Sequence, residues 1–401
     1  MTYSDVVVVG GGPSGLSASW GAASHGVDVM LLEEHEEIGR PRHCTGLVSG
    51  EGLKIIGMPC KGDYIENKVW RAIIIVGNRA VELRKLGEPV YVLNREKFDK
   101  AMADRAADSG AVILTGDRVK RIHVSEGMFT VKTTKTSYSC RVVIDGEGAS
   151  SKLARSMGLD GPKLRIPALQ VEVYGEATLC DEVLVIVGDQ WAPGFFAWVV
   201  PTGDDRLRVG LASTIGRRNN LLTNFIKRHP LISGLLRNHQ IKEMYGGLIA
   251  IGPPDRTHSG NFMIVGDAAG QTKPLTGGGV VYGSLCGFLA GMTASKIIDG
   301  RAEATLYERT WRRLLSLEEE LGVPLRKFLV GEDSVEMLLG LLSRTNVLSY
   351  IERNAHYESH VASIIKKPGV LLLSSLIFVF VASIKAFKYF LEVLLPKRGR
   401  K

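Results

Sequence analysis

Residues 5–33, DVVVVGGGPSGLSASWGAASHGVDVMLLE, predict a β-strand, a helix and a second strand in close succession. The run of valines is typical of a strand that is buried on both faces. Gly10, Gly12 and Gly15 follow it with the spacing GxGxxG, which permits a tight turn and lets a phosphate reach backbone N–H groups at the positive end of the helix. Glu33 is predicted to end the second strand, where its carboxylate can accept hydrogen bonds from ribose hydroxyls. The stretch therefore predicts a dinucleotide site.

The composition restricts the class of protein. The chain has 401 residues, of which 45% are hydrophobic and 23% are charged, which excludes wholesale disorder and a polytopic membrane protein. At about 100–200 residues per domain, the length predicts two or three domains. The net charge of +8 is spread along the chain apart from the C-terminal tail, so no nucleic-acid partner is expected. The 5 cysteines form no CxxC pair, so we expect no metal site. No basic leader precedes the first apolar run, and a cytoplasmic location is expected.

The sequence pattern changes beyond residue 33. A Gly-Asn turn at 77–78 between β-rich runs predicts a hairpin, and the apolar spacing over 96–109 predicts a helix. From 169 to 213 apolar and polar residues alternate, which indicates an antiparallel sheet with one face toward a core or cavity. Mostly helical segments are predicted from 302 to about 350.

These patterns predict an α/β protein with a discontinuous Rossmann-like nucleotide-binding domain, an antiparallel-sheet substrate domain and a helical C-terminal region. The boundaries that we expect are 1–57, 91–160 and 260–300 for the nucleotide-binding domain, 58–90 and 161–259 for the substrate domain, and 301–368 for the helical region.

The last segment, residues 369–401, is apolar and basic. Residues 370–384, VLLLSSLIFVFVASI, carry no charge but are fewer than the ~20 residues needed to span a bilayer. In the continuation KAFKYFLEVLL, Lys385, Lys388 and Glu392 share one helix face. We expect the segment to lie in a membrane interface that attracts its basic tail, or else to dock on the protein's own core.

A second glycine-rich stretch occupies residues 261–283, NFMIVGDAAGQTKPLTGGGVVYG. A buried strand is predicted to end at Gly266 and Asp267, and glycines 277–279 open another helix. The stretch resembles the second FAD fingerprint of flavoprotein monooxygenases and reductases. The resemblance implies that Asp267 meets the ribitol and pyrophosphate region of FAD and that the 277–279 loop faces the isoalloxazine ring. The helix N-terminus after Gly279 can stabilise charge on the reduced flavin.

Further motifs extend the resemblance over nearly the whole chain. They are His43-Cys44-Thr45-Gly46, Leu93-Asn94-Arg95 with Phe98-Asp99, and Phe196-Ala-Trp198-Val-Val-Pro201 followed by Gly210. Together with both fingerprints they resemble the geranylgeranyl reductase family of FAD enzymes, which hydrogenate isoprenoid double bonds, and most closely its archaeal branch that acts on digeranylgeranylglycerophospholipids. Phe196 stands where the family usually has tyrosine, and Val200 where it has phenylalanine, so the identity of the alkene stays open.

The resemblance implies a set of binding residues. The expected FAD contacts are Gly10, Gly12, Ser14, Gly15, Glu33, Cys44, Thr45, Leu47, Arg95, Val119, Asp267, Gly279 and Val280, with Val119 ending a strand beside the adenine. The expected substrate contacts are Phe196, Trp198, Pro201 and Gly210.

Cys44 and Trp198 are the candidate catalytic residues. Alkene reduction delivers a hydride to one carbon and a proton to the other, and the double bond has to lie within about 3–3.5 Å of the flavin. Trp198 either forms the apolar wall of such a slot or is only a core residue. A thiol is mostly protonated at neutral pH, so Cys44 can donate the proton, modulate the flavin ring, or be a buried structural cysteine.

The predicted function is therefore an FAD-dependent reductase of geranylgeranyl double bonds. It implies an isoprenoid lipid substrate, NAD(P)H or ferredoxin as electron donor, and a peripheral position on the membrane surface. One alternative is a flavin-dependent hydroxylase or halogenase, since Trp198 to Pro201 also resembles the halogenases' Trp-x-Trp-x-x-Pro motif, with Phe196 in place of its first tryptophan. The other is a flavin electron-transfer or lipid-binding protein without alkene chemistry.

Overall fold

The computed structural model describes residues 2–84, 87–175, 179–203, 205–329, 331–342, 347–354 and 356–359. The strands are β1 (Thr2–Tyr3), β2 (Val6–Val9), β3 (Val29–Leu32), β4 (Leu47–Ser49), β5 (Ile65–Val69), β6 (Arg71–Val76), β7 (Arg79–Arg84), β8 (Val90–Leu93), β9 (Val112–Leu114), β10 (Val119–Ser125), β11 (Met128–Thr133), β12 (Ser137–Cys140), β13 (Val142–Asp145), β14 (Leu164–Tyr174), β15 (Glu182–Val187), β16 (Ala197–Gly203), β17 (Arg206–Ala212), β18 (Gln240–Ile251), β19 (His258–Ser259) and β20 (Phe262–Ile264). The helices are α1 (Pro13–Ala23), α2 (Gly50–Ile55), α3 (Arg95–Asp108), α4 (Lys152–Ser156), α5 (Arg218–Arg228), α6 (Pro230–Leu235), α7 (Val280–Ile298), α8 (Thr305–Phe328), α9 (Glu332–Leu342) and α10 (Val347–Asn354).

The nucleotide-binding sheet is built around the valine run of β2. Its strand order is β19-β20-β13-β2-β3-β9, and neighbours are parallel except β19 and β20. Val6 and Val8 face a core with α1, α3 and α7, whereas Val7 and Val9 face a second core with β10, β11, β12 and α4. Because successive strand residues point to opposite faces, burial on both sides requires an uninterrupted apolar run.

Helices α1 and α7 pack with their backbones in close contact. A Cβ added at Gly287 would lie 2.0 Å from the carbonyl oxygen of Ser14, and one at Gly291 would lie 2.1 Å from that of Ala18. No side chain fits at either place, so both positions need glycine. The contact holds the helix of the first fingerprint against the helix of the second.

A seven-stranded sheet stands beside the nucleotide-binding sheet. Its order is β18-β14-β17-β16-β15-β6-β7, and neighbours are antiparallel except the parallel pair β15 and β6. One face packs on Leu222 and Phe225 of α5 and on Ile232 of α6, whereas Trp198 and Val200 lie in a different core on the other face. A small sheet, β4-β8-β5, contacts β16.

The C-terminal helices complete the described structure. Tyr307 and Trp311 of α8 are almost fully buried in the core that contains α7, while α9 contacts β6 and α10 contacts β7. Among the described helices, α7 is long and apolar enough to cross a membrane, but 67% of its apolar window is buried inside the molecule. The predicted interfacial segment 369–401 lies outside the described residues.

The predicted fold class is confirmed, including the hairpin of β6 and β7, the antiparallel sheet and the helical C-terminal region. Two residues that were predicted to end strands do not do so. Glu33 follows β3 instead of ending it, and Val119 begins β10, because β9 already ends at Leu114 and the chain turns before the next strand.

Candidate active site

A cavity of about 1040 Å³ is lined by residues from the nucleotide-binding sheet and the seven-stranded sheet. Pockets for drug-sized ligands usually measure about 300–1,000 Å³, so this volume has room for a cofactor and part of a second molecule. The wall comes from the turn after β2, the loop 39–46, the second glycine-rich stretch, strands β6, β15 and β16, and residues 356–358.

The turn after β2 has the shape of a phosphate cradle. Gly10 adopts a φ of +93°, and a Cβ there would lie 2.4 Å from the carbonyl oxygen of Gly146. At Gly15 a Cβ would lie 1.9 Å from the Gly10 carbonyl oxygen. Gly12 instead lines the cavity at the start of α1, and a Cβ there would meet nothing within 4 Å. This open space beside the positive end of α1 fits the diphosphate of FAD.

The carboxylate of Glu33 is fixed at the cavity wall by its neighbours. The backbone N–H of Gly11 donates to Oε2 at 2.6 Å, and that of His35 donates to Oε1 at 2.9 Å. The His35 ring lies 2.6 Å from the same Oε1. These contacts fix the carboxylate at the wall, and its interaction with ribose hydroxyls stays a prediction.

Cys44, Thr45 and Leu47 line the cavity together with Arg95. The Sγ of Cys44 accepts a hydrogen bond from the N–H of Gly46 at 3.4 Å. Arg95 donates from Nε and Nη2 to the two oxygens of Asp99 at 3.0 and 2.9 Å. Burial alone would lower the pKa of Arg95, but Asp99 and the nearby Cys44 raise it above its usual value. The structure thus places a permanent cation beside Cys44.

The second fingerprint forms another part of the wall. Asp267 lies in a 3-10 turn, and a Cβ added at Gly279 would lie 3.0 Å from its Oδ1. Burial raises the pKa of Asp267, and His43 and Arg95 offset part of the increase. Gly279 precedes α7, whose first residue is Val280, and both line the cavity. The positive end of α7 therefore adjoins the cavity, as negative charge on a cofactor would require.

The structure brings the predicted FAD residues together at this cavity, except Gly15, which packs beneath the turn. Val119 also lines it, but from the first residue of β10, which corrects the expectation of a strand end. The contact of each residue with FAD stays a prediction.

Three aromatic side chains form an apolar slot in the cavity wall. The rings of Phe195 and Phe196 are stacked with centroids 4.3 Å apart, and Trp198 meets Phe196 edge-on at 6.0 Å. The Nε1 of Trp198 donates to Oε1 of Gln170 at 3.2 Å. The polar atom of the indole is thereby satisfied within the sheet, which leaves the slot apolar.

Pro201 and Gly210 are absent from the described residues that line the cavity. A Cβ at Gly210 would lie 2.5 Å from the Cβ of Gln170 and 2.6 Å from the ring of Trp198. Gly210 therefore makes room for the indole. The Pro201 carbonyl accepts a hydrogen bond from Nδ2 of Asn67 at 3.1 Å. Gly210 thus supports the slot from behind, whereas Pro201 contacts the small sheet.

Sequence reasoning missed Gln170. Its Oε1 accepts a hydrogen bond from Oγ1 of Thr45 at 3.0 Å as well as the one from Trp198. Gln170 thus joins a predicted FAD residue to a predicted substrate residue. The available signal was the pair Gln170 and Glu172, two polar residues on the same face of a strand with apolar alternate positions.

Glu172 belongs to a buried ion-pair network that was also missed. The Nε of Arg208 donates to Glu172 at 2.9 Å, and Nη1 donates to the carbonyl oxygens of Thr45 and Leu93 at 2.8 and 3.0 Å. Burial favours a raised pKa for Glu172, but Arg208 outweighs it and the net shift is downward. The network holds the loop of Cys44 and Thr45 against the seven-stranded sheet.

A second buried ion pair in the cavity wall joins Lys273 to Glu358. The Nζ of Lys273 lies 3.1 Å from Oε2 of Glu358, and both residues line the cavity. Oε1 of Glu358 accepts hydrogen bonds from the N–H and Oγ of Ser49 at 2.9 and 2.8 Å. No local pattern indicates this contact, because the partners are 85 residues apart.

Comparisons with known proteins agree with this site. A family model described as lycopene cyclase protein matches residues 5–328. Digeranylgeranylglycerophospholipid reductase 2 of Methanopyrus kandleri is 31% identical over 394 residues, which cover 92% of this chain and 97% of that protein. The protein of the same name from Methanothermobacter thermautotrophicus is 32% identical and covers 86% and 93%. This chain belongs to the geranylgeranyl reductase family.

Solved structures give the same result at the level of the fold. A geranylgeranyl bacteriochlorophyll reductase-like protein from Thermoplasma acidophilum has a TM-score of 0.82 and 25% identity, covering 94% of this chain and 100% of that one. A flavin-dependent brominase has a TM-score of 0.71 at 15% identity, covering 88% and 93%, and this likeness shows the fold alone. Membership of the geranylgeranyl reductase family confirms the predicted cofactor, FAD, and the oxidoreductase class.

Proposed function

We propose that this chain saturates double bonds in geranylgeranyl chains of membrane-lipid precursors. The observation that supports this substrate is the apolar slot at Phe196 and Trp198, which shares one cavity with the FAD-binding turns. The same cavity is also lined by apolar side chains, namely Ile74, Leu83, Val90, Val183, Val185 and Ile351. Apolar walls of this kind suit a hydrocarbon chain, and the relatives' names specify a digeranylgeranyl lipid as their substrate.

The protein's contribution is mainly positioning. When bound, FAD supplies the hydride for one alkene carbon. Gly12 and the positive end of α1 hold its diphosphate, and Glu33 orients its adenosine ribose. The walls at Phe196 and Trp198 exclude water and hold the double bond in line, which an alkene without polar groups requires.

Cys44 is the proposed cysteine contact to the flavin. The neighbouring Arg95 and the N–H of Gly46 fix the sulfur in the cavity wall. In this position the thiol either donates the proton or modulates the flavin ring. We further propose NAD(P)H or ferredoxin as electron donor, and attachment to the cytoplasmic membrane surface through residues 369–401.

A single anaerobic experiment tests the reaction. The purified protein is reduced with dithionite, mixed with digeranylgeranylglycerophospholipid, and the lipid is analysed by mass spectrometry. We expect a gain of about two mass units for each double bond reduced, because one hydride and one proton are added. Unchanged lipid alongside an intact flavin spectrum would contradict the proposal. A product that forms only in the presence of oxygen would instead identify a hydroxylase or halogenase.

A further inference from the structure

Lys273 is a buried cation in the cavity wall for which the proposed reaction has so far given no role. It lies between the 3-10 turn at Gly266–Ala269 and α7, and its exposed fraction is 3%. Lysine is rarely buried to this extent, because removing an ammonium group from water is costly. A cation that is kept in a cavity next to a cofactor site is therefore a candidate for chemistry.

The side chain of Lys273 lies along the 277–279 loop, which the resemblance to FAD enzymes places against the isoalloxazine ring. A Cβ added at Gly278 would lie 2.7 Å from Cε and 3.3 Å from Nζ of Lys273. The backbone is fixed as well, since the N–H of Lys273 donates to the Gly278 carbonyl at 3.0 Å and the N–H of Gly277 donates back at 2.8 Å. The ammonium group is therefore beside the loop that the proposed function places against the flavin.

Partners from the end of the described chain orient the ammonium group. Nζ donates to Oε2 of Glu358 and to the carbonyl oxygen of Tyr357, both at 3.1 Å. It also lies 3.8 Å from the centroid of the Tyr357 ring. An ammonium group has three N–H bonds, so these two hydrogen bonds leave one for a group in the cavity.

The surroundings also make Lys273 more acidic than an ordinary lysine. Burial lowers its pKa, and Glu358, Glu318 of α8 and Cys44 raise it by a smaller amount, so the net shift is downward. General acids act best when their pKa lies close to the operating pH, and the shift brings Lys273 nearer to that condition.

We propose that Lys273 is the proton donor in the alkene reduction and that Glu358 is its positioning residue, an assignment that rests on the proposed function. The hydride, with its two electrons, adds to one alkene carbon and leaves the cofactor oxidised. At the other carbon a C–H bond forms as an N–H bond of Lys273 breaks. Lys273 remains as the neutral amine and regains a proton from water after product release. In this assignment Cys44 modulates the flavin ring and does not donate the proton.

The test compares variants in a single turnover. Lys273→Met alone would leave the buried Glu358 carboxylate unpaired, so the double variant Lys273→Met with Glu358→Gln removes both charges. Lys227→Met, on the exposed side of α5, is the matched control. FAD binding and lipid binding are measured first, the latter by quenching of tryptophan fluorescence. Reoxidation of the reduced flavin by lipid is then followed under anaerobic conditions.

We expect the double variant to bind FAD and lipid as the wild type does but to reoxidise about 10²–10⁴-fold more slowly, as for loss of a general acid. The control should match the wild type throughout. Reoxidation of the double variant at the wild-type rate would overturn the assignment. Loss of lipid binding with an unchanged maximal rate would also overturn it, because it would show a purely structural ion pair. Wild-type protein that lipid cannot reoxidise would instead refute the proposed function.

The pH profile gives an independent readout. A donor must be protonated, so the rate should fall as the pH rises through the pKa of Lys273. The charged and titratable groups that face Lys273 are Glu358, Tyr357, Glu318 and Cys44. Since Glu358 raises the pKa of Lys273, Glu358→Gln should move the alkaline limb to lower pH. An unmoved limb would contradict the role of Glu358.

Discussion

At the scale of single residues, Trp198 owes its position to two neighbours that do not line the cavity. Gln170 accepts the indole N–H, and Gly210 leaves the space that the ring occupies. The same amide also holds Thr45. A substitution behind the slot is therefore expected to alter both the aromatic wall at Trp198 and the loop that carries Thr45.

Gly210→Ala tests this dependence. The new methyl group would overlap Gln170 and the indole, and overpacking of this kind costs typically about 1–3 kcal/mol. We expect the free energy of unfolding to fall by this amount and lipid binding to weaken, as measured by denaturant titration and by tryptophan fluorescence.

Gly234→Ala is the control for that substitution. Gly234 lies in α6 on the exposed surface, and a Cβ there meets nothing within 4 Å. Alanine at this position should be neutral or stabilise the helix by about 0.5–1 kcal/mol. If Gly210→Ala behaved in the same way, the close packing of Trp198 would be refuted.

At the scale of elements, Arg208 joins parts of the fold that are distant in sequence. From β17 it contacts Glu172 on β14, Leu93 on β8 and the backbone of Thr45. It is 1% exposed, so its hydrogen bonds replace all of its contact with water. Arg208 therefore holds together the seven-stranded sheet, the small sheet and the loop that carries Thr45.

We expect Arg208→Met to lower the free energy of unfolding by about 3–5 kcal/mol, because it removes the nearest cation from the buried carboxylates of Glu172 and Glu66. Arg206→Met on the same strand removes a half-exposed cation and should cost about 0–1 kcal/mol. Urea titrations of both variants measure the difference in the free energy of unfolding. The FAD content of each purified variant shows whether the loop that carries Thr45 still supports cofactor binding. Equal free energies of unfolding for the two variants would show that the contacts of Arg208 do not stabilise the fold by this amount.

The ion pairs also mark the limit of prediction from sequence at this scale. The valine run, the glycine turns and the hairpin of β6 and β7 were predicted because each depends on contiguous residues. Arg208, Gln170 and Lys273 were not, since their partners are brought together only by the assembled sheets and the chain's C-terminal part. Most residues that the family motifs indicated do line the cavity, but the motifs did not distinguish them from Pro201 and Gly210, which are not among its lining residues.

At the scale of the whole molecule, the proposed attachment to a membrane depends on residues 369–401. Removing them should leave FAD binding intact but release the protein from vesicles that contain anionic phospholipid. Co-sedimentation measures this, and raised salt should weaken the binding of the full chain because its basic tail is screened. Unchanged co-sedimentation of the truncated chain would contradict the proposal and favour docking of the segment on the protein.

The contact between α1 and α7 also bears on the order in which the protein can mature. The ribosome synthesises the two sides of this contact at different times, first Ser14 with Ala18 and much later Gly287 with Gly291. At about 5–20 residues per second the second side follows the first by roughly 15–55 s. During this interval the nascent chain exposes the first glycine turn without the helix that supports it. Acquisition of FAD is therefore expected to follow the emergence of α7.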